Sequence, residues 1–376
     1  MARRLTATPP VLGGYSYIRP LGSGGFADVF LYEQDMPRRV TAVKVLHADV
    51  ASPEVLRTFN VEADIMARLS AHPSIVTIHQ ASISADGRPY LVMEFCPDTA
   101  SARYKKGPLP VAEVLDLGVR IAGALETAHR SGLLHRDIKP SNVLVTSLGK
   151  PVLADFGIAA ALNVDEGPET FAMSIPWSSP EVLREQVSGS VASEVWSLGA
   201  TLYTLLAGRS PFELPQRERN ARDLLTARVV RAKYTPVPVA GTPPVIDEIL
   251  STAMAKDPAR RYASMADLGE RLRWAQYELG LQPTELEVAS PEWAAAAPVD
   301  FMDAAARGPV VSTVARESRR AERARKAAEL APVYRDGLLV RAPRPGGALK
   351  PALIGAAVGA LVVAAGVAGV VLWAGL

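Results

Sequence analysis

The hydrophobic and polar positions change rhythm twice along the chain. From residue 15 to about 95, short β-branched and aromatic runs with period-two character predict strands at 15–18, 28–32, 40–46, 75–82 and 90–95. One helix interrupts them at 53–69, with Pro53 in its first turn and Val55, Phe59, Ile65, Met66 and Leu69 spaced for one buried face. From about 109 to 275 the pattern turns helical. Residues 110–131 are amphipathic through Val114, Leu117, Ile121, Leu125 and His129, and 196–208 is almost continuously apolar. That second stretch is too short to span a bilayer and predicts a helix buried in the core. A small strand-rich lobe before a larger helical one makes a cleft, where ligands bind. Over 276–350 the periodicity is lost to Pro, Ala and Arg, which predicts a linker with a short basic helix at 316–330. Residues 352–374 are apolar without one charge.

Composition narrows the classes. The 376 residues carry 48% apolar and 21% charged positions and a net charge of +2, which suits a buried core and argues against a nucleic-acid-coating protein. Cys96 is the single cysteine, so a disulfide framework or multi-cysteine metal site is excluded and a reducing compartment fits. The five histidines form no ligand-spaced cluster. The basic start, Met1 to Arg4, leads into no apolar stretch, so no secretory signal is expected.

Candidate chemistry begins at Gly22, Ser23, Gly24 and Gly25, before Phe26 to Val29. Glycines between two strands let backbone approach phosphate oxygens closely, and a following strand rather than a helix separates the turn from a dinucleotide fold. A plain hairpin turn would look the same. Lys44 stands mid-strand among apolar neighbours, where an ammonium needs an anionic partner or a route to water. Glu62, mid-helix, is a candidate partner, and an exposed Glu62 is the alternative. The stretch from His135 to Asn142 combines what a phosphoryl-transfer site requires: a carboxylate (Asp137), a cation (Lys139) and a metal ligand (Asn142). Asp155-Phe156-Gly157 follows a buried strand and offers a second metal ligand.

In these motifs and their order, residues 15–275 resemble the protein kinase family, specifically the bacterial eukaryotic-like serine/threonine kinases. The resemblance implies an α+β, two-lobed kinase fold with lobes at 15–95 and 96–275, preceded by a tail at 1–14. It implies ATP with Mg²⁺, Mn²⁺ being an alternative, and protein substrates. Gly22 to Val29 becomes the phosphate-covering loop, Lys44 the α- and β-phosphate contact, and Glu62 its ion-pair partner. Asp137 becomes the catalytic base, Lys139 the γ-phosphate contact, Asn142 and Asp155 the metal ligands. Ala42 and Val29 join the ATP site, Met93 falls at the gatekeeper, and Glu94 to Cys96 at the adenine-binding hinge. Lys139, two places after the base, favours serine/threonine over tyrosine. His135 is expected to pack beneath the loop rather than act as acid or base. Ser179-Pro180-Glu181 closes the activation segment, with Glu181 expected to pair with Arg261; Glu194 stands where the family has aspartate, which puts the placement of the catalytic loop in question.

Arg136 would take an anion from the activation segment, with Thr170 as first candidate phosphate acceptor and Ser174 as second. Ser174 also sits where the family has a threonine touching the catalytic loop. At ~1.5 Å per residue the apolar C-terminal run matches a hydrocarbon core of ~30 Å. We therefore expect a linker at 276–350, a transmembrane helix at 351–375, contact with membrane lipid, and no external sensor domain on this chain. Arg335, Arg341, Arg344 and Lys350 precede the span and no charged side chain follows, which places the kinase domain on the cytoplasmic face of the cell membrane. Gly355 to Gly359 offers a small-residue face for a homodimer, and no nucleic-acid partner is expected. The competing readings are a membrane-tethered pseudokinase scaffold, which would normally lack Lys44, Asp137 or Asp155, and a small-molecule phosphotransferase.

Overall fold

A computed structural model of the chain describes residues 8–24, 27–47, 59, 63–64, 66–156, 174–289, 333–335 and 338–341. Strands β1 (Tyr15–Ser23), β2 (Ala27–Asp35), β3 (Arg38–Leu46), β4 (Ile78–Ile83) and β5 (Pro89–Glu94) form an antiparallel sheet in the order β1-β2-β3-β5-β4. Alternation along the strands sends two sets of side chains to opposite faces. Phe30, Tyr32, Val43, Val45, Tyr90 and Val92 make a small outer cluster. Ala27, Ala42, Leu46, Leu91 and Met93 face inward, joined by Phe59, Ala63, Met66 and Leu69 from the helical residues between 59 and 69.

The expected tail at 1–14 is not a tail where it is described. Leu12 is buried in the outer cluster, Tyr32 donates its hydroxyl to the Pro10 carbonyl at 2.6 Å, and Arg88 donates to the Thr8 carbonyl at 2.9 Å. The predicted strand at 75–82 starts later, because Ile75 is taken up by a parallel bridge to Leu153.

The second lobe is helical, as its periodicity predicts. After β6 (Asp98–Thr99) come α1 (Ala100–Tyr104) and α2 (Val111–Arg130), then β7 (Val143–Val145) and β8 (Pro151–Leu153). Beyond the activation segment lie α3 (Pro180–Leu183), α4 (Val191–Ala207), α5 (Arg222–Arg231), α6 (Pro244–Ala253) and α7 (Met265–Glu278). The apolar run at 196–208 is the body of α4, started by a Ser190–Ser193 capping box and closed by Gly208 at φ 71°. Where α4 crosses α6, a Cβ on Gly199 would lie 2.9 Å from the Ala253 Cβ, so only a glycine permits that approach.

Helix α2 departs from its predicted single apolar face: nearly every residue from Val114 to Ala128 is buried. The reason is that the ordered chain does not end at 275. Helix α7 continues to Glu278, and residues 281–289 fold back across the far side of α2. The linker expected from 276 is therefore corrected over 276–289.

A separate unit, 310–376, contains an antiparallel hairpin of β9 (Val333–Arg335) and β10 (Leu338–Arg341) within the expected linker. The basic helix predicted at 316–330 and the apolar stretch at 352–374 lie outside the described residues. Among the described residues no helix is long and apolar enough to cross a membrane.

Candidate active site

Register alone assembles the roof of the cleft. Val29 and Leu91 stand directly across from Lys44, and Met93 stands across from Ala42. Directly opposed residues of antiparallel strands share a face. Val29, Ala42, Lys44 and Met93 therefore lie on the inward face, around the ammonium. The turn between β1 and β2 is pinched by a hydrogen bond from Gly24 N–H to the Ala27 carbonyl at 2.8 Å. Cys96 follows β5, and burial, then the Glu94 carboxylate, pushes its thiol up to about 12. It stays protonated and serves as packing rather than as a nucleophile.

The floor comes from two short segments whose backbones are strained where the chemistry sits. Arg136 has φ 65° and Asp155 φ 62°, left-handed values that cost a non-glycine residue free energy. Neighbours hold both in place. The Arg136 N–H donates to Glu194 Oε1 at 2.6 Å, while Glu194 Oε2 meets His129 Nε2 at 2.6 Å. Beneath Asp155, the His135 ring packs on Phe156 with centroids 4.7 Å apart. His135 Nδ1 accepts from the Asp137 N–H at 3.2 Å, so Nε2 carries the proton and donates to the Ala154 carbonyl at 2.9 Å. Both ring nitrogens are committed to backbone, which fits the packing role expected of His135.

Asp137 sits at the centre. Its Oδ1 accepts from the Ser174 hydroxyl at 2.8 Å, and its Oδ2 meets Lys139 Nζ at 2.6 Å. Lys139 also donates to Ser174 Oγ at 2.9 Å, closing a triangle. Across the cleft, Lys44 Nζ lies 2.7 Å from Asp155 Oδ1. The ammonium holds the Asp155 carboxyl below the usual carboxylate range, against the opposing effect of burial.

The same residues fit a hard divalent cation. Asn142 donates through Nδ2 to the Asp137 carbonyl at 2.8 Å and to Asp137 Oδ2 at 3.1 Å, which turns its Oδ1 away from Asp137. Asn142 and Asp155 are tied through adjacent backbone, since the Ala154 N–H donates to the Asn142 carbonyl at 2.9 Å. One amide oxygen and one carboxylate, with no soft ligand, are the donor set that Mg²⁺ or Mn²⁺ prefers, phosphate and water completing the shell.

Residues 15–271 match the family model described as "Protein kinase domain". The chain belongs to the protein kinase family. Over 279 residues it is 40% identical to the serine/threonine-protein kinase PknK of Mycobacterium tuberculosis, covering 73% of this chain and 24% of that protein. Over 274 residues it is 34% identical to the serine/threonine-protein kinase PrkC of Bacillus subtilis, covering 70% of this chain and 41% of that one. The solved kinase domain of Mycobacterium tuberculosis PknI, a point mutant, superimposes with a TM-score of 0.51 at 29% identity, covering 71% of this chain and 98% of that chain. The chain thus spans about a quarter of PknK and under half of PrkC.

Within the family-matched domain, Lys44, Asp137, Lys139, Asn142, Asp155 and Ser174 converge as the motifs imply. Gly25, Glu62 and Thr170 lie outside the described residues. Arg136 is exposed and makes no ion pair with a described residue. Glu181 and Arg261 form a bidentate pair at 2.6 and 2.9 Å, buried beside Trp196, whose ring lies 5.0 Å from the guanidinium. Glu194 ties the Arg136 backbone and the His129 ring together through its two carboxylate oxygens. In sequence His129 reads only as part of the apolar stripe of 110–131; the carboxylate it meets, Glu194, lies 65 residues on and leaves no local mark.

Proposed function

We propose that this chain is a serine/threonine protein kinase that transfers the ATP γ-phosphate to protein hydroxyls at the cytoplasmic face of a membrane. The observation that carries the reading is Asp137, half-exposed at the cleft floor, with Ser174 and Lys139 on its two oxygens. Ionised, it accepts the proton of an incoming hydroxyl, while Lys139 and Lys44 supply positive charge toward phosphate oxygens. Asn142 and Asp155 would hold the metal ion, which neutralises phosphate charge when bound. Catalysis of this kind is positioning and electrostatics. The strained, over-determined backbone at Arg136 and Asp155 supports it. Retention of Lys44, Asp137 and Asp155 favours a kinase over a pseudokinase scaffold, and the relatives' names favour serine and threonine.

The test is label transfer from γ-labelled ATP by the purified full chain to protein substrates, followed by phosphoamino-acid analysis. Nucleotide binding without transfer sinks the reading. Phosphopeptide mapping of the same preparation tests Thr170 and Ser174 as autophosphorylation sites. Ser174→Ala is expected to slow transfer by up to about tenfold, the worth of one hydrogen bond at about 0.5–1.5 kcal/mol. Ser174→Thr should retain the rate, as steady-state kinetics would show.

The membrane part rests on the uncharged run at 352–374 and the basic residues before it. The full chain should stay in the membrane pellet after alkaline extraction, and a chain ending at 350 should not. Pairing of two spans through Gly355 and Gly359 predicts that leucine at both abolishes crosslinking in membranes.

A further inference from the structure

Residues 281–289 form a strap over a stripe of α2 that looks solvated in sequence: Asp116, Arg120, Gly123 and Thr127 recur at helical spacing. Thr284 Oγ1 donates to Asp116 Oδ1 at 2.8 Å, and the Ala289 N–H donates to Thr127 Oγ1 at 3.1 Å. Thr284 is locked from the other side by Gln276, which accepts its N–H at 2.8 Å and donates to its hydroxyl at 2.8 Å. Two glycines inside helices are explained by this strap. A Cβ on Gly123 would collide with the Glu287 carbonyl oxygen, and one on Gly269 would meet Leu286 Cδ1 at 2.8 Å. Glycine weakens a helix by up to about 1 kcal/mol relative to alanine, so both positions favour docking over local helix stability.

The strap also reaches the first lobe. The Glu287 carbonyl lies 2.9 Å from His72 Nε2, and His72 Nδ1 accepts the Ser74 N–H at 3.0 Å. The ring therefore carries its proton on Nε2 and bridges strap to loop. The Ser74 carbonyl then accepts the Leu153 N–H at 2.9 Å, and the Leu153 carbonyl accepts the Val76 N–H at 3.0 Å. Leu153 is two residues from Asp155, whose left-handed backbone needs support from outside itself.

We propose that His72 is a positioning residue for Asp155, held in register by the 281–289 strap. Hydrogen bonds lead from Glu287 through His72 and Ser74 to Leu153, and two residues of backbone carry the restraint on to the candidate metal-binding carboxylate of Asp155. Its consequence for metal and nucleotide rests on the kinase reading. The restraint itself does not.

The experiment uses the full chain and two readouts that require no phosphoryl transfer: Mg²⁺ dependence of ATP binding by calorimetry, and amide exchange at Val76 and Leu153. Gly123→Ala ejects the strap while improving helix propensity, Leu286→Asp ejects it by another route, and His72→Phe keeps the ring but removes both nitrogens. Each is expected to raise the Mg²⁺ needed for half-maximal ATP binding by about tenfold, the low end for outer-shell support of a metal ligand. Each should also speed exchange at Val76 and Leu153. Gly123→Ala combined with His72→Phe should match either single variant, because both break one path. Additive effects would overturn the proposal. So would a strap freed in Leu286→Asp, seen as fast exchange at Thr284 and Ala289, with Leu153 still protected. A wild-type chain that binds no Mg²⁺–ATP would end the kinase reading, while the exchange data still decide the restraint.

Discussion

Asp137→Asn is expected to cut phosphoryl transfer by about 10²–10⁴-fold while nucleotide binding is retained. The substitution keeps the shape of the side chain and an oxygen that can accept from Ser174, so the catalytic loop should keep its course. What it removes is the acceptor for the proton of the incoming hydroxyl and the negative charge facing Lys139, 2.6 Å away in the wild type. Initial rates with labelled ATP, beside ATP binding by calorimetry, separate the two effects. A variant as active as the wild type would remove Asp137 from the chemistry. Equal loss of binding and transfer would make it structural.

Arg261→Met is expected to destabilise the domain by about 3–5 kcal/mol, because it strands one partner of a buried pair. The Arg261 side chain is 0% exposed and that of Glu181 10%. The guanidinium also donates to the carbonyls of Ala192, Ala255 and Lys256, which would lose their donors. Denaturant unfolding measures the loss. Its pH dependence carries a sign that tests the cause. In the wild type, burial works to raise the Glu181 pKa, yet the Arg261 donors and the surrounding hydrogen bonds leave it below the ordinary value of 4.5. That contribution is present above 4.5 and is lost as pH falls through the depressed folded value. Without Arg261, burial acts unopposed by the guanidinium and raises the pKa, so stability is lost as pH rises through the carboxylate range. The gap between wild type and variant should therefore narrow as pH falls from neutrality toward the carboxylate range. A gap independent of pH would mean that lost packing, not charge, sets the cost.

The candidate catalytic residues were legible because side-chain chemistry writes them. Asp137, Lys139, Asn142 and Asp155 must be those residue types, and no helix or strand pattern competes for their positions. The buried helix at 196–208 was legible for the same reason, since burial on all sides demands an apolar run. Much of what escaped is held by backbone. The N-terminal segment docks through the carbonyls of Thr8 and Pro10, and the strap through the Glu287 carbonyl and the Ala289 N–H. Any residue supplies those atoms, so neither segment needs a periodic pattern. Their trace lies on the receiving side, in Gly123, Gly269 and the polar stripe of α2, which resembles an ordinary solvated face until something is known to lie on it. The strand boundary at Ile75 was missed for a related reason. A bridge to Leu153, 78 residues away (153 − 75), leaves no local mark.

The strap sets an order of events during synthesis. Chains fold from the N-terminus as they emerge, and every candidate catalytic side chain lies before residue 175. The groove over Gly123 and Gly269 cannot be covered until residue 287 has been made. A nascent chain paused after α7, or a mature one nicked between 280 and 289, would carry the candidate catalytic residues on a domain whose back is still open to water.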